Sequence, residues 1–153
     1  MTDATHTDVL VVGSGIAGCS AALAAAREGA EVLLVTKASR PEDTTSDWAQ
    51  GGIATTRGDP ETFKQDVLAA SDGEADPHAV DVLVENAGDA VEDVLIDTLE
   101  VSFDAPESAG TDGDEFAYAK EAAHSEARIL HVNASTGKHV LRPFLNYVDD
   151  HGI

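Results

Sequence analysis

The chain has 153 residues, of which 9 are basic and 29 are acidic, giving a formal net charge of −20 at pH 7. This length is sufficient for one domain with a hydrophobic core. The negative charge argues against binding to nucleic acid or to an anionic membrane, because both surfaces would repel the chain. The acidic residues are scattered along the sequence, which is typical of proteins that stay soluble in a halophilic cytosol.

The compartment can be predicted from cysteine usage and hydropathy. Cys19 is the single cysteine, so an internal disulfide is excluded, and we interpret it as a small buried side chain. Residues 1–7 are polar, and no apolar run approaches the length of a membrane span. The sequence therefore predicts a cytoplasmic protein.

A strand, a helix and a second strand are predicted at the start of the chain. Residues 8–13 are apolar almost throughout and predict a buried parallel strand. Residues 16–28 predict a helix rich in small side chains, and residues 31–36 a second buried strand. This succession is typical of a Rossmann-like α/β fold.

A G-x-G-x-x-G motif formed by Gly13, Gly15 and Gly18 joins the first strand to the helix. In dinucleotide-binding folds the first glycine permits the tight turn, the second lets a pyrophosphate approach the backbone, and the third lets the helix pack on the strand. The phosphates would lie at the helix N-terminus, where unpaired N–H groups and the helix dipole favour negative charge. The alternative is a glycine-rich turn in an unrelated α/β protein.

Helices are predicted in the middle of the chain. Asp59-Pro60 and Asp76-Pro77 each combine an N-cap aspartate with proline at the first helical position. Apolar residues at helical spacing extend the second of these helices to about Leu99, with a division or a bend near Gly88. Residues 107–115 are acidic and contain glycine, and they predict an exposed loop.

The last third of the chain predicts short strands and one helix. The strands are expected within residues 116–120 and 129–132, and Ser135 or Thr136 could cap the helix. Pro143 conflicts with an uninterrupted helix, so we expect a late start or a kink. Two clear parallel strands are too few for a doubly wound sheet, and we therefore expect this chain to be the N-terminal part of a larger protein.

The residues at the end of the second strand indicate which nucleotide the fold could bind. NAD-binding units usually have an acidic residue there, whereas this strand ends at Lys37, which leaves NADP and FAD as the alternatives. The loop over residues 44–53 combines hydroxyl side chains with a small-residue and glycine run, which could place donors against an isoalloxazine ring and its ribityl phosphate. This loop favours FAD over NADP, the other interpretation being an ordinary polar loop.

Four blocks of sequence occur in order along the chain: residues 11–18, 35–37, 49–54 and 124–131, the last followed by Thr136-Gly137. In order and spacing they resemble the succinate dehydrogenase/fumarate reductase flavoprotein family. The resemblance implies a truncated Rossmann-like FAD-binding domain with a helical insertion after the second strand. It also implies that the capping and C-terminal helical domains of the family are absent from this chain.

The same resemblance implies which residues contact FAD. They come from the turn after the first strand, the end of the second strand and the polar loop that follows. With the motif glycines included, they are Gly13, Ser14, Gly15, Ile16, Ala17, Gly18, Lys37, Thr45, Ser46, Asp47, Trp48, Ala49, Gln50, Gly51 and Gly52.

Two positions distinguish the branches of the family. In its dicarboxylate branch a loop histidine holds FAD covalently, and Thr45 at that position implies non-covalent FAD. That branch has glutamine where this chain has Glu121, whose carboxylate would pair better with the ammonium group of L-aspartate. Glu121 therefore resembles the substrate-orienting residue of the branch that oxidises L-aspartate; on its own it would be one more surface acid.

The resemblance thus implies FAD-dependent oxidation of L-aspartate to iminoaspartate, the first step toward quinolinate in NAD biosynthesis. Oxygen or fumarate would reoxidise the flavin, and quinolinate synthase is an implied partner. The catalytic arginine of the family lies beyond residue 153, so no catalytic residue and no turnover are expected of this chain alone. The alternatives are a soluble fumarate reductase or succinate dehydrogenase flavoprotein and a non-catalytic FAD-binding fragment.

The histidines do not predict a metal site. The chain has six of them, and they lack carboxylate or cysteine companions at ligand spacing. His124 and His131 lie in the last family block, and we interpret both as structural or flavin-side residues. The double glycine that the family has before His124 is Ala122-Ala123 here, which is a departure within the substrate loop.

Overall fold

The structure is a computed structural model that describes residues 6–106, 115–133 and 135–153. The chain divides into two compact units: the first runs up to Ala49 and resumes at Gly137–Ile153, and the second is Gln50–Thr136. In chain order the elements are β1 (Val9–Val12), α1 (Ile16–Arg27), β2 (Val32–Val35), β3 (Ile53–Ala54), α2 (Pro60–Ala70), α3 (Pro77–Ala90), β4 (Tyr118–Ala119), β5 (Ile129–Leu130) and α4 (Thr136–Asp150).

The first unit contains the predicted strand–helix–strand succession. β1 and β2 are parallel neighbours, with Val9 opposite Val32 and Val12 opposite Val35, and α1 connects them and packs on both. Two 3-10 turns, Pro41–Asp43 and Thr45–Trp48, follow β2. The order of elements that the sequence predicts is therefore confirmed.

The β1–β2 sheet is buried on one face only. Val11 is buried at 9% exposure, whereas Leu10 and Val12 on the opposite face are 57% and 78% exposed, and Leu33 and Val35 are 36% and 38% exposed. The prediction that both strands are buried throughout is wrong for this second face. Side chains alternate between the faces of a strand, and α1 provides cover on a single side.

Helix α4 forms in one run despite Pro143. It begins at Thr136, so of the two expectations, a late start or a kink, the late start is wrong. Proline within a helix removes one hydrogen bond and costs roughly 3 kcal/mol. Burial of an apolar stripe offsets this cost, and the stripe consists of Val140, Leu141, Phe144 and Val148.

The second unit begins with the two predicted capped helices. The carboxylate of Asp59 accepts the N–H of Glu61 at 3.1 Å, and that of Asp76 accepts the N–H of His78 at 2.8 Å. α2 and α3 pack on each other around Phe63, with Val80 and Val84 from α3. The same helical run continues from Val91 to Thr98 with π-helical winding. The change from α to π winding lies three residues after Gly88, near the predicted division.

A small antiparallel sheet completes the second unit. β5 lies between β3 and β4, with Leu130 opposite both Ile53 and Tyr118. β4 and β5 confirm the two predicted strands in shorter form, and β3 was not predicted because two residues give no detectable alternation. The predicted loop over residues 107–115 lies outside the described residues except for Glu115. Among the described residues, no helix is both long and apolar enough to cross a membrane.

Candidate cofactor-binding site

The turn between β1 and α1 is held by backbone geometry. Gly13 has φ of 110°, and its N–H donates to the carbonyl of Val35 at 2.7 Å, which ties the turn to the end of β2. A Cβ at Gly18 would overlap the carbonyl oxygen of Gly13. The turn and the first helical turn are therefore in direct backbone contact, which only glycine at position 18 permits.

The N-terminus of α1 is prepared for an anion. Gly15 is the N-cap residue and supplies no side-chain cap, and the first turn contains no acidic residue. The N–H of Ile16 donates to Oγ of Ser46 at 3.2 Å. Backbone donors and the positive end of the helix dipole thus meet where the sequence predicts the phosphates.

A cleft of about 700 Å³ opens beside this turn in the first unit. Its walls combine main chain, hydroxyl groups, apolar side chains at the ends of β1 and β2, one cation and one carboxylate. The N–H groups, the hydroxyls and the cation are donors that fit a nucleotide with its phosphates at the helix N-terminus. Six predicted contacts line it, namely Gly13, Ser14, Gly15, Lys37, Thr45 and Ser46.

Three polar residues of the cleft are missing from the predicted contacts, namely Thr36, Asp43 and Thr44. Thr36 lies at the end of β2, and its Oγ1 accepts a hydrogen bond from Oγ of Ser14 at 3.1 Å. Asp43 lines the cleft as well, and hydrogen bonds from the N–H groups of Ser39 and Arg40, the first being the larger cause, lower the pKa of Asp43. A polar residue directly after a buried strand is the signal that could have identified Thr36.

The other predicted contacts of the first unit do not line the cleft. The side chain of Asp47 is 1% exposed, and its Oδ1 lies 3.0 Å from Nε of Arg142 on α4. Trp48 is 64% exposed, and its indole N–H donates to the carbonyl of Glu42 at 2.7 Å. The predicted contacts in the first unit that are not on the cleft wall are Ile16, Ala17, Gly18, Asp47, Trp48 and Ala49.

The remaining predicted site residues belong to the second unit. Gln50, Gly51 and Gly52 precede β3, and a Cβ at Gly52 would overlap the carbonyl oxygen of Leu130. Glu121 is exposed in a turn whose closing bond runs from the N–H of His124 to the Glu121 carbonyl at 3.2 Å. Their roles toward cofactor and substrate remain predictions.

The block around His124 contains a buried cation, Arg128, to which the sequence analysis assigns no role. The guanidinium of Arg128 is fully buried, and one of its nitrogens lies 3.2 Å from Oδ2 of Asp66 on α2. The same carboxylate oxygen accepts the N–H and the hydroxyl of Ser125, both at 2.9 Å. The guanidinium carbon lies 4.7 Å from the centroid of the Phe63 ring. We call these four residues the Asp66 cluster.

The two histidines of that block contact protein groups of the second unit. Nδ1 of His131 lies 2.9 Å from Oδ2 of Asp104, which also accepts the N–H of Asn133 at 2.6 Å. The ring of His124 packs against that of Phe63, with 5.8 Å between centroids. In the part of the chain that the structure describes, no group of three or more His, Cys, Asp or Glu residues could hold a metal ion.

Sequence comparison relates this chain to flavoenzymes. The model of the FAD binding domain family matches residues 8–153. The chain is 68% identical over 151 residues to L-aspartate oxidase of Halobacterium salinarum, an alignment that covers 99% of this chain and 28% of that protein. It is 39% identical over 148 residues to L-aspartate oxidase of Synechocystis, covering 95% of this chain and 25% of that protein. The chain thus spans roughly a quarter of the length of these relatives.

Solved structures of other proteins have the same fold as this chain. A flavocytochrome c3 fumarate reductase in an open conformation superimposes with a TM-score of 0.79 at 25% identity, over 96% of this chain and 26% of that one. Mycobacterium smegmatis Sdh1 in complex with UQ1 does so with a TM-score of 0.82 at 23% identity, over 93% of this chain and 23% of that one. The α/β fold predicted from the sequence is confirmed. The match over residues 8–153 shows that the chain belongs to the FAD binding domain family, whose cofactor is FAD.

Proposed function

We propose that this chain is the N-terminal FAD-binding part of an L-aspartate oxidase, which oxidises L-aspartate to iminoaspartate. The cleft at the β1–α1 turn is the observation on which the cofactor assignment depends. The substrate assignment is supported by the L-aspartate oxidases to which nearly the whole chain is similar.

Residues of the cleft would hold the cofactor by neutral donors and one positive charge. Gly15 leaves room for phosphate oxygens near the first N–H groups of α1, and the hydroxyls of Ser14 and Ser46 lie beside them. Lys37 at the end of β2 supplies a positive charge on the same cleft. When bound, FAD accepts the electron pair that is removed from the substrate.

The side chain of Thr45 supports non-covalent attachment. Thr45 lines the cleft at the position where the dicarboxylate branch of the family attaches FAD through histidine. A threonine hydroxyl cannot replace imidazole in that linkage, so the flavin is held by packing, hydrogen bonds and charge alone.

Glu121 is proposed to select the substrate. Its carboxylate is exposed, and it could pair with the ammonium group that distinguishes L-aspartate from succinate. Fumarate or oxygen is proposed as the electron acceptor, and quinolinate synthase as the partner that takes the product toward NAD. We place the catalytic arginine and the capping and helical domains in sequence that the longer relatives contain, and we expect residues 1–153 alone to show no turnover.

A soluble fumarate reductase or succinate dehydrogenase flavoprotein is the second candidate. The structural likeness to a fumarate reductase favours it at the level of fold. Thr45 and Glu121 count against it, because that branch has histidine and glutamine at these positions. A non-catalytic FAD-binding fragment is the third candidate.

The test uses the protein at the length at which its source makes it. We would record the flavin spectrum, precipitate the protein with acid, and then offer L-aspartate or succinate to fresh protein without oxygen. The expected result is yellow supernatant after precipitation and bleaching by L-aspartate only. Glu121→Gln is the matched variant, and it should weaken binding of L-aspartate while leaving the flavin spectrum unchanged.

Other results would contradict the proposal in distinct ways. Flavin that stays in the pellet, or bleaching by succinate alone, assigns the protein to the dicarboxylate branch. Bound flavin that neither substrate bleaches supports the non-catalytic candidate. Turnover by residues 1–153 would refute the placement of the catalytic groups outside this chain.

A further inference from the structure

The start of α4 packs directly on the loop that borders the cofactor cleft. The N–H of Gly137 donates to the carbonyl of Ala49 at 2.8 Å. A Cβ at Gly137 would overlap the carbonyl oxygen of Ser46 and would lie 2.9 Å from the nitrogen of Ala49. Only glycine permits this approach, which gives a physical reason for the Thr136-Gly137 pair noted in the sequence.

A second contact from α4 holds the same loop by charge. Nε of Arg142 lies 3.0 Å from Oδ1 of Asp47, and a terminal guanidinium nitrogen lies 3.3 Å from Oδ2. The Asp47 side chain is 1% exposed, whereas that of Arg142 is 48% exposed. A buried carboxylate needs a partner, and paired hydrogen bonds to both oxygens also fix its orientation.

The loop meets the cofactor cleft at the residue before Asp47. Oγ of Ser46 accepts the N–H of Ile16 at the N-terminus of α1, and an added Cβ at Gly15 would lie 3.3 Å from that oxygen. Ser46 is thus fixed on one side by α1, while Asp47 is fixed on the other by α4. Displacement of Asp47 would move the Ser46 hydroxyl away from the helix N-terminus.

We infer that Arg142 is a positioning residue of the cofactor site: its ion pair with Asp47 holds Ser46 at the N-terminus of α1. This inference rests on the proposed cofactor site and extends it to a residue that does not line the cleft. Asp47, predicted from the sequence as a flavin contact, then acts through its bond to Arg142. A terminal nitrogen of Arg142 also lies 3.9 Å from Glu42, in the preceding 3-10 turn.

The experiment compares variants of the protein at its natural length. Arg142→Met removes the ion pair, Arg142→Lys keeps the charge without the paired geometry, and Lys138→Met removes an exposed cation from the same helix as a control. Three quantities are measured: the FAD dissociation constant, amide hydrogen exchange of residues 44–49 in the FAD-free protein, and the midpoint of thermal unfolding.

The expected result separates positioning from general stability. Arg142→Met should weaken FAD binding about tenfold, the size expected for one lost charge-assisted hydrogen bond, and should speed exchange of residues 44–49. Arg142→Lys should give an intermediate dissociation constant, and Lys138→Met should stay within about twofold of the parent. If Arg142→Met does not fold, a raised FAD dissociation constant together with faster exchange of residues 44–49 in folded Arg142→Lys supports the inference by itself.

Two results would overturn the inference. One is unchanged FAD affinity and unchanged exchange in folded Arg142→Met or Arg142→Lys while the parent binds FAD. The other is a lowered unfolding midpoint with unchanged FAD affinity, which would make the ion pair structural only. A parent protein that binds no FAD would refute the proposed cofactor site as well, and the flavin spectrum of the parent distinguishes that failure.

Discussion

The glycine turn of the first unit and the Asp66 cluster of the second are organised in opposite ways. The turn is built from uncharged groups: Gly18 contacts the Gly13 carbonyl five residues away, and the Gly13 N–H donates to the carbonyl of Val35. The Asp66 cluster joins residues about 60 positions apart and buries a full positive charge. The turn is thus shaped by backbone contacts, whereas the Asp66 cluster of the second unit depends on a buried ion pair.

The difference shows what each arrangement can tolerate. A turn made from closely packed backbone groups is sensitive to any added side-chain volume. Among the residues that the structure describes, the buried Arg128–Asp66 pair is bonded within the protein except at Nε of Arg128, and it is sensitive to the loss of either partner. Substitutions in the second region should therefore lower stability, whereas those in the first should lower stability where they add volume and should also affect cofactor binding.

Arg128→Ala should have the largest effect. It removes the buried guanidinium from Asp66 and from the Phe63 ring, and loss of one partner of a buried pair costs about 3 to 5 kcal/mol in the free energy of unfolding. The control is Arg57→Ala, since Arg57 lies over the Tyr118 ring at 4.6 Å but is partly exposed, and it should cost about 1 kcal/mol. Denaturant unfolding measures both variants. Equal losses in the free energy of unfolding would show that burial of Arg128 does not increase its contribution to stability.

Gly18→Ala should come second. The added Cβ overlaps the Gly13 carbonyl, so the turn must shift, at a cost of about 1 to 3 kcal/mol. Gly15→Ala is the matched variant: its Cβ would lie 3.3 Å from the Ser46 hydroxyl, which can rotate, and the N-cap φ of −76° suits alanine. We expect Gly15→Ala to weaken FAD binding with less than about 1 kcal/mol lost in stability. A reversed order of the two stability losses would contradict this account of the turn.

The sequence predicts the first region well because its signals are local. G-x-G-x-x-G lies between an apolar run and a helix, and the turn, the close approach and the helix start all follow from residues within one segment. The Asp-Pro helix starts are predictable for the same reason, since the cap and the capped N–H are two residues apart.

The rest depends on contacts that no local pattern encodes. Asp47 lies within the predicted loop, but its partner Arg142 is 95 residues away, so the sequence cannot show that the carboxylate is buried. Arg128 belongs to a recognised block, yet its partner Asp66 lies on a helix predicted only from its own cap and apolar side. Pro143 opposes a helix locally, and burial of the α4 stripe outweighs that local preference.

Acid should reduce the contribution of the Asp66 cluster to stability, by less than the losses expected for Arg128→Ala and Gly18→Ala. The N–H of Ser125, then its hydroxyl and the charge of Arg128, lower the pKa of Asp66 from its ordinary 3.8. The folded protein thus binds this proton more weakly than the unfolded chain, so the contribution is complete above about pH 4 and is lost as the pH falls further. The stability difference between the parent and Asp66→Asn should therefore be constant from about pH 7 to pH 5 and shrink toward pH 3. A difference that is constant down to pH 3 would contradict the assignment.

The smallest effect is expected at Ala123, between Glu121 and the Asp66 cluster. Ala123 has φ of 71°, a left-handed conformation that costs an alanine about 1 to 2 kcal/mol. Glycine removes that strain but adds roughly 0.4 to 1 kcal/mol of unfolded-state entropy, so Ala123→Gly should raise the free energy of unfolding by about 0.5 kcal/mol. Ala122→Gly is the control, because the φ of Ala122 is not positive and only the entropic loss applies. The measurement is the change in the free energy of unfolding by denaturant. Changes of opposite sign in these two adjacent variants would show that the backbone conformation at Ala123 decides the effect of glycine, and changes of equal sign would contradict this.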